Sequence, residues 1–200
     1  SSAPSDWYKR PGAENPVCNY RQCALDGSRV YRIRGQRGTS TYHGIGAYYG
    51  HYGEAGPSGC SGYMDSADLA LDADGRFEIH GYPKDTFPPT DFHTATLVGD
   101  HIWIVGALGY GDLRAPGETP VYRLDTQSLA IERVWIAGEG PGWLHRHWAD
   151  AIGPEDILVA GGQRIELDGA GNQITVASEA CFVLDTAARA WRPIARGDLR

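Results

Sequence analysis

Residues 91–110, DFHTATLVGDHIWIVGALGY, decide the fold. Two short runs rich in β-branched and aromatic residues, HTATLV and HIWIVG, flank the dipeptide Gly99-Asp100. A GD pair between two such runs is typical of the tight turn of a β-hairpin. The stretch is therefore either a catalytic histidine beside a Gly-rich ligand loop or one unit of a repeated all-β scaffold. The remainder of the chain favours the scaffold.

The hairpin belongs to a unit that recurs along the chain. Two further runs, VYRL and IERVWI, complete a four-stranded unit over residues 92–136, and the pattern returns over 145–194 as HRHWADAI, DILVAGG, CFVL and RAWRPI. An earlier copy within 19–82 contains CALDGSRVYRIRG and LALDADGRFEIHG, each with a DG turn. Repeats of roughly 50 to 60 residues made of four strands predict propeller blades.

The tripeptide LDT fixes the alignment of the last two units, at residues 124–126 and 184–186. The alignment superposes apolar positions throughout: Tyr122 on Phe182, Ile131 on Trp191, and Val134 on Ile194. We therefore expect Ile131 and Trp191 to occupy equivalent buried positions between sheets, and we predict no helix longer than two turns within these units.

The stretch FHTATLVGDHIWIVGA resembles the start of a kelch repeat. His93 stands early in the first strand, and Gly106 with Ala107 ends the second strand, where the next copy has the double glycine Gly161-Gly162. The places where kelch blades carry a Tyr and a Trp hold Leu124 with Ile131, and Leu184 with Trp191, so only Trp191 matches. The resemblance implies an all-β, kelch-like β-propeller, or a partial propeller, of four-stranded antiparallel blades. It implies no particular activity.

The 200 residues predict one domain, 1–200, with units at about 19–82, 92–136 and 145–194. Residues 1–18 contain DWYKR followed by PGAENP, which is similar to VWIAGEGPGW and predicts a closing strand. Three units fall short of the four blades of the smallest ordinary propellers. An added N-terminal strand, association of two chains as a homo-oligomer, or a longer parent chain would each resolve the shortfall, and the sequence leaves all three open.

Composition excludes several partners. A formal net charge of −7 disfavours nucleic acid and anionic membranes, which need clustered Lys and Arg. No apolar run reaches the ~20 residues of a membrane span and no signal peptide opens the chain, so we expect a cytoplasmic location. Cys18 and Cys23 are close enough in sequence to form a small disulfide loop, but their redox state stays open. We predict no cofactor.

The links between predicted strands differ in length, and this difference places the candidate site. The short links alternate with the long ones, so an antiparallel meander gathers all the long links at one end. Loops on a rigid scaffold are where binding residues concentrate. The candidate ligand- or partner-binding residues on this face are Tyr42, His43, Tyr48, Tyr49, His51, Tyr52, Tyr110 and Trp143, with His93, His145 and His147 beneath them at the channel mouth.

Glycines and histidines each have two interpretations. Gly pairs that end strands allow positive φ and close backbone approach, which explains them without a ligand. His145 and His147 would share a face of one strand, and His93 aligns with His147, so three imidazoles could converge on a metal. A repeated His at a strand start also suits a hydrogen bond to the neighbouring blade, and no Asp or Glu ligand pattern accompanies these residues. We therefore predict no metal site.

Two functions fit the pattern. We favour a binding or scaffolding module that holds a protein partner through the long-loop face, rather than an enzyme. The alternative is a small-ligand, glycan-binding or metal-supported enzymatic site at the channel mouth, with Trp143, Trp148 and Tyr110 as stacking platforms.

Overall fold

The computed structural model describes residues 23–49, 59–83, 85–179 and 181–195. This part of the chain is all-β, with several small antiparallel sheets and one short 3-10 turn at Gly111–Leu113. The strands are β1 Tyr31–Gln36, β2 Gly44–Tyr49, β3 Gly59–Asp65, β4 Arg76–Gly81, β5 Thr94–Val98, β6 His101–Val105, β7 Val121–Asp125, β8 Ile131–Arg133, β9 Trp143–His145, β10 Trp148–Ala151, β11 Asp156–Ala160, β12 Gln163–Leu167, β13 Gln173–Ala177, β14 Cys181–Asp185 and β15 Ala190–Pro193. Within these ranges, no helix has the length and apolar character needed to cross a membrane.

The hairpin that decides the fold is the first half of a four-stranded meander, β5-β6-β7-β8, which we call sheet I. Gly99 adopts φ +57° in the turn between β5 and β6, where an L side chain would be strained. The turn from β7 to β8 is held by Asp125, whose Oδ1 accepts hydrogen bonds from the backbone N–H groups of Gln127 and Ser128. Asp125 is therefore a turn residue, as its local sequence predicts.

The third predicted unit forms two sheets. Strands β10-β11-β14-β15 make a second meander, sheet II, while β12 and β13 form a hairpin that pairs with β9 in a separate three-stranded sheet. The hairpin occupies the link between β11 and β14, which the sequence predicted as a loop over 163–179. Strand β12 pairs with β13 on one side and with β9 on the other, so the hairpin adds structure beyond the four predicted strands.

The main core lies between sheets I and II. Alternate residues of β6, including Trp103 and Val105, cluster with alternate residues of β11, Ile157 and Val159. The opposite face of sheet I buries Ile104, Tyr122 and Ile131 with Tyr82 and Phe87, which precede β5, packed against them. Each sheet is thus apolar on both faces, as a sheet packed between two layers must be.

The expected equivalence of Ile131 and Trp191 is confirmed for burial and register. Their exposures are 8% and 7%, and they pair with Leu124 and Leu184 at matching register positions. Each is covered by the link that precedes its own sheet: Phe87 packs on the Ile131 cluster, and Gly140 lies against the indole of Trp191. Their surroundings differ, because Trp191 lies in the core between sheets I and II whereas Ile131 packs against Tyr82 and Phe87 of a link and not against a second sheet.

The first predicted unit differs from expectation. In the described part of 19–82, β1 pairs with β4 and β2 pairs with β3, giving two two-stranded sheets instead of four strands in one. The first runs of CALDGSRVYRIRG and LALDADGRFEIHG, predicted as strands, are not strands at residues 23–26 or at residues 69–72. The Oδ1 atom of Asp72 accepts hydrogen bonds from the backbone N–H groups of Asp74 and Arg76, so this segment forms a local turn leading into β4. The closing strand predicted at 1–18 lies outside the described residues.

Candidate functional site

The long links of the two meanders meet at one end of the structure. The backbone N–H of Ala107 donates to the carbonyl of Leu144 at 2.9 Å, and that of Leu108 donates to the carbonyl of Asp91 at 2.9 Å. The hydroxyl of Thr119 donates to the Gly142 carbonyl at 2.6 Å. These bonds join the 106–120 loop to the chain entering β5 and to the chain entering β9.

Arg114 holds this loop in shape. Its Nε donates to the carbonyl of Leu108 at 2.8 Å and its Nη2 donates to that of Gly109 at 3.0 Å. Its Nη1 reaches the Oε1 atom of Gln173 at 3.2 Å, and the Nε2 atom of Gln173 donates to the Gly111 carbonyl at 3.0 Å. The guanidinium therefore closes the loop on itself and joins it to β13.

The loop carries exposed apolar side chains at its tip. Tyr110 is 64% exposed, and Leu113, at the end of the 3-10 turn, is also exposed. Because Arg114 fixes the backbone beneath them, these side chains are presented on an ordered support. A preorganised apolar tip is what a binding surface needs to limit the entropic cost of association.

Trp143 does not belong to this exposed surface, contrary to the sequence-based prediction. It lies in β9 with 5% of its area exposed, and its Nε1 donates to the Leu108 carbonyl at 3.2 Å. The pairing of β9 with β12 covers a position that was predicted to be a loop tip. Trp143 therefore cannot be a stacking platform for a ligand, whereas Trp148 in β10 is exposed.

Beneath the loop lie the three channel-mouth histidines, His93, His145 and His147. His145 is 2% exposed and neither ring nitrogen has a hydrogen-bond partner among the described residues. His147 is also buried, and its Nε2 lies 2.8 Å from the hydroxyl of Thr94 in β5. Arg146 between them has φ +54°, which separates β9 from β10, so the expectation that His145 and His147 share one strand is wrong.

The environment keeps these imidazoles neutral. Burial, together with the neighbouring His93 and His145, lowers the pKa of His147 to about 4. Burial, followed by the charges of Arg146 and Arg114, also lowers the pKa of His145. Partial burial of the His93 ring lowers its pKa as well, while the Asp91 carboxylate opposes that shift. At neutral pH the three imidazoles are therefore uncharged. The hydrogen bond between Thr94 and His147 joins β5 to the chain entering β10.

The cluster lacks the geometry of a metal centre. Among the described residues, no group of three His, Cys, Asp or Glu side chains is arranged to hold a metal ion. The hydrogen bond between His147 and Thr94 ties the chain entering β10 of sheet II to β5 of sheet I, so His147 forms a junction between the two sheets.

Gly106 and Gly162 allow the chain to pass close to residues 144–147. Gly106 has φ +72°, and a Cβ there would lie 2.4 Å from the Leu144 carbonyl oxygen. Gly162 has φ +82°, and a Cβ there would lie 2.6 Å from the His145 carbonyl oxygen. The structural interpretation of these strand-ending glycines is therefore correct, because both the backbone conformation and the close approach exclude a side chain.

Residues 42–63, which are rich in tyrosine and glycine, contain most of the hairpin formed by β2 and β3. Tyr42 and Tyr48 are exposed, and the hydroxyls of Tyr42 and Tyr63 are hydrogen-bonded. The His43 ring packs edge-on against Phe77 at 5.9 Å between centroids. Tyr49 ends β2, while His51 and Tyr52 lie outside the described residues. That this hairpin lies on the same face as the 106–120 loop remains a prediction.

Trp135 is an exposed aromatic residue that sequence reasoning missed. Its side chain is 69% exposed, and the guanidinium of Arg133 lies 4.4 Å from the centre of its ring. The alternation in RVWI carries the signal, because Val134 is buried and its neighbour must point outward. Among the described cysteine side chains, Cys23 is exposed and free and Cys181 is buried and free, while Cys18 lies outside the described residues.

Comparison with known proteins identifies no family. No family model matches the chain, and no curated protein matches it. The solved structures that match include one titled "Structure of YjhT", with a TM-score of 0.39 and 20% sequence identity over 55% of this chain. The match covers 28% of that chain. A likeness at this TM-score bears on neither the fold nor the function of the present protein.

Proposed function

We propose that the chain is a kelch-like β-propeller module, with units at about 19–82, 92–136 and 145–194. Three features of the described residues support this proposal. Sheets I and II are four-stranded meanders, they pack face to face, and their first strands β5 and β10 are neighbours. The equivalence of Ile131 and Trp191 adds a repeated packing position. Closure of the propeller ring would then require a strand from residues 1–18, a second copy of the chain or a longer parent chain.

Within that scaffold, we propose a binding function directed at a protein partner through the long-loop end. The observation that carries the proposal is the loop held by Arg114, which presents exposed Tyr110 and Leu113 on a backbone fixed to β13. Tyrosine is favoured at binding surfaces because it combines a large contact area with few rotatable bonds. We expect this work to be done in the cytoplasm and without a cofactor.

The test compares partner capture by matched variants. The full chain is immobilised, partners from the native source are identified, and the affinity of each purified partner is then measured for the wild type and for Tyr110→Ala with Leu113→Ala. We expect the double variant to weaken binding by about tenfold or more, because truncating exposed aromatic anchors removes contact area. Leu97→Ala, another exposed apolar position, on β5, is the control. Equal affinity for the double variant and the wild type would remove the proposal.

A further inference from the structure

Beside Trp135, the links before β7 and after β8 enclose a small cavity of about 70 Å³. Its wall includes the indoles of Trp135 and Trp191, and its polar rim includes Glu118 and Thr119. From this cavity and its rim we propose that the surface around Trp135 binds an uncharged saccharide, with one pyranose ring stacked on the indole. This inference goes beyond a protein-binding function and does not depend on it.

The indole of Trp135 is largely exposed although a cation lies over it. The guanidinium of Arg133 is 4.4 Å from the centre of the ring, and the residue as a whole is 69% exposed. The contact with Arg133 restrains the ring, since a cation is attracted to the face of an indole. A restrained, exposed aromatic plane suits the C–H face of a pyranose ring, which is flat and apolar while the ring's hydroxyls project from its edge.

Hydrogen-bonding groups stand next to this plane. Arg133 forms an ion pair with Glu118, and the two side chains are partly exposed. A guanidinium offers five N–H donors and a carboxylate two acceptor oxygens, so the pair retains capacity for neighbouring hydroxyls. Because the two charges balance, the pair favours an uncharged polyol over a phosphate or another anion.

The size of the cavity determines how the ligand would lie. Sites that enclose a drug-sized molecule usually have about 300–1,000 Å³. A cavity of about 70 Å³ accepts one small substituent, such as a hydroxymethyl group, and leaves the ring outside. Gly140 shapes the inner wall, since a Cβ there would lie 2.7 Å from Cδ1 of Trp191. The ring then rests on Trp135 while its substituent points toward Trp191.

The test uses saturation-transfer NMR with the full chain and methyl glycosides of glucose, galactose, mannose and N-acetylglucosamine. We expect transfer to the ring C–H protons of at least one glycoside. Trp135→Ala should weaken that binding by about tenfold or more, which corresponds to roughly 1.4 kcal/mol. Trp148→Ala, which truncates another exposed tryptophan, should leave the affinity unchanged. Circular dichroism of each variant confirms that it is folded.

A second variant guards against a folding defect in the first. Glu118→Gln keeps the side-chain volume but removes the charged acceptor. It should also weaken binding of the glycoside, because hydrogen bonds to a carboxylate are stronger than those to a neutral amide. The proposal is overturned if no glycoside shows transfer, if the affinity survives both substitutions, or if Trp148→Ala lowers it equally. Trp135-dependent binding of a proline-rich peptide in place of every glycoside would also overturn it.

Discussion

Adding one methyl group at Gly162 tests how closely the link between β11 and β12 packs on the chain between β9 and β10. Gly162 has φ +82°, and a Cβ at this position would lie 2.6 Å from the carbonyl oxygen of His145 and 2.7 Å from both N and Cα of His147. All three contacts are with backbone atoms, so no side-chain rotation can relieve them. The adjacent Gly161 has φ +68° with open space around its Cβ position, which makes it a matched control.

The expected magnitude follows from two effects. An alanine in the left-handed region costs about 1–2 kcal/mol relative to glycine, offset by roughly 0.4–1 kcal/mol from the lower entropy of the unfolded chain. Both Gly161→Ala and Gly162→Ala carry this cost. Overpacking against fixed backbone adds about 1–3 kcal/mol for Gly162→Ala alone. The difference between the two variants therefore isolates the close approach of Gly162 to the 145–147 segment.

The assay is urea-induced unfolding of the wild type and both variants, monitored by tryptophan fluorescence. With a slope of about 2 kcal/mol per molar urea, the extra destabilisation of Gly162→Ala should separate the two midpoints by about 0.5–1.5 M. Equal midpoints for Gly161→Ala and Gly162→Ala would refute the reasoning, because they would mean that the backbone at 145–147 does not press on Gly162.

Four further substitutions probe the core and the loop end. Trp191→Ala and Trp143→Ala should each lower the free energy of unfolding by about 3–5 kcal/mol in urea titrations, as truncation of buried aromatic residues does, and an effect below 1 kcal/mol would contradict their burial. Arg114→Ala should cost about 1–3 kcal/mol, because it removes hydrogen bonds to the carbonyls of Leu108 and Gly109; loop-specific hydrogen exchange should rise with it. The pKa of His147 is about 4, below the ~6.5 of an unfolded histidine, so the unfolded state binds more protons between these values. Stability should hold above about pH 6.5 and fall by roughly 3 kcal/mol as the pH drops to 4, and His147→Gln should flatten this dependence in urea titrations at pH 7 and pH 4.5.

The sequence could predict those strands whose turn chemistry is local. Gly99-Asp100 and Asp125 mark turns within a few residues of the strands they join, and period-2 alternation then fixes which side chains are buried. That is why the pairing of Leu124 with Ile131, and of Leu184 with Trp191, agrees with the alignment on LDT. In each case the information lies within ten residues along the chain.

The burial of Trp143 could not be predicted in this way. It depends on the pairing of β9 with β12, whose strands are joined through the whole of β10 and β11. The β12 strand buries one residue fully, Ile165, so its alternation is weak and the segment resembles a polar loop. The pairing of β1 with β4 was missed for the same reason, since residues 37–75 intervene.

In each of the three predicted units, two paired strands are joined by a long insertion, and the three insertions differ in length and structure. Gln36 pairs with Arg76 across an insertion that contains the β2–β3 hairpin, and Ala160 pairs with Cys181 across one that contains β12 and β13. Val105 pairs with Val121 across the loop held by Arg114. An insertion whose ends lie one strand spacing apart leaves the sheet register unchanged, and loop-closure entropy rises only slowly with its length. Sequence within these insertions can therefore change while the register of the flanking strands is kept, and the exposed Tyr110 and the β2–β3 hairpin both lie in such insertions.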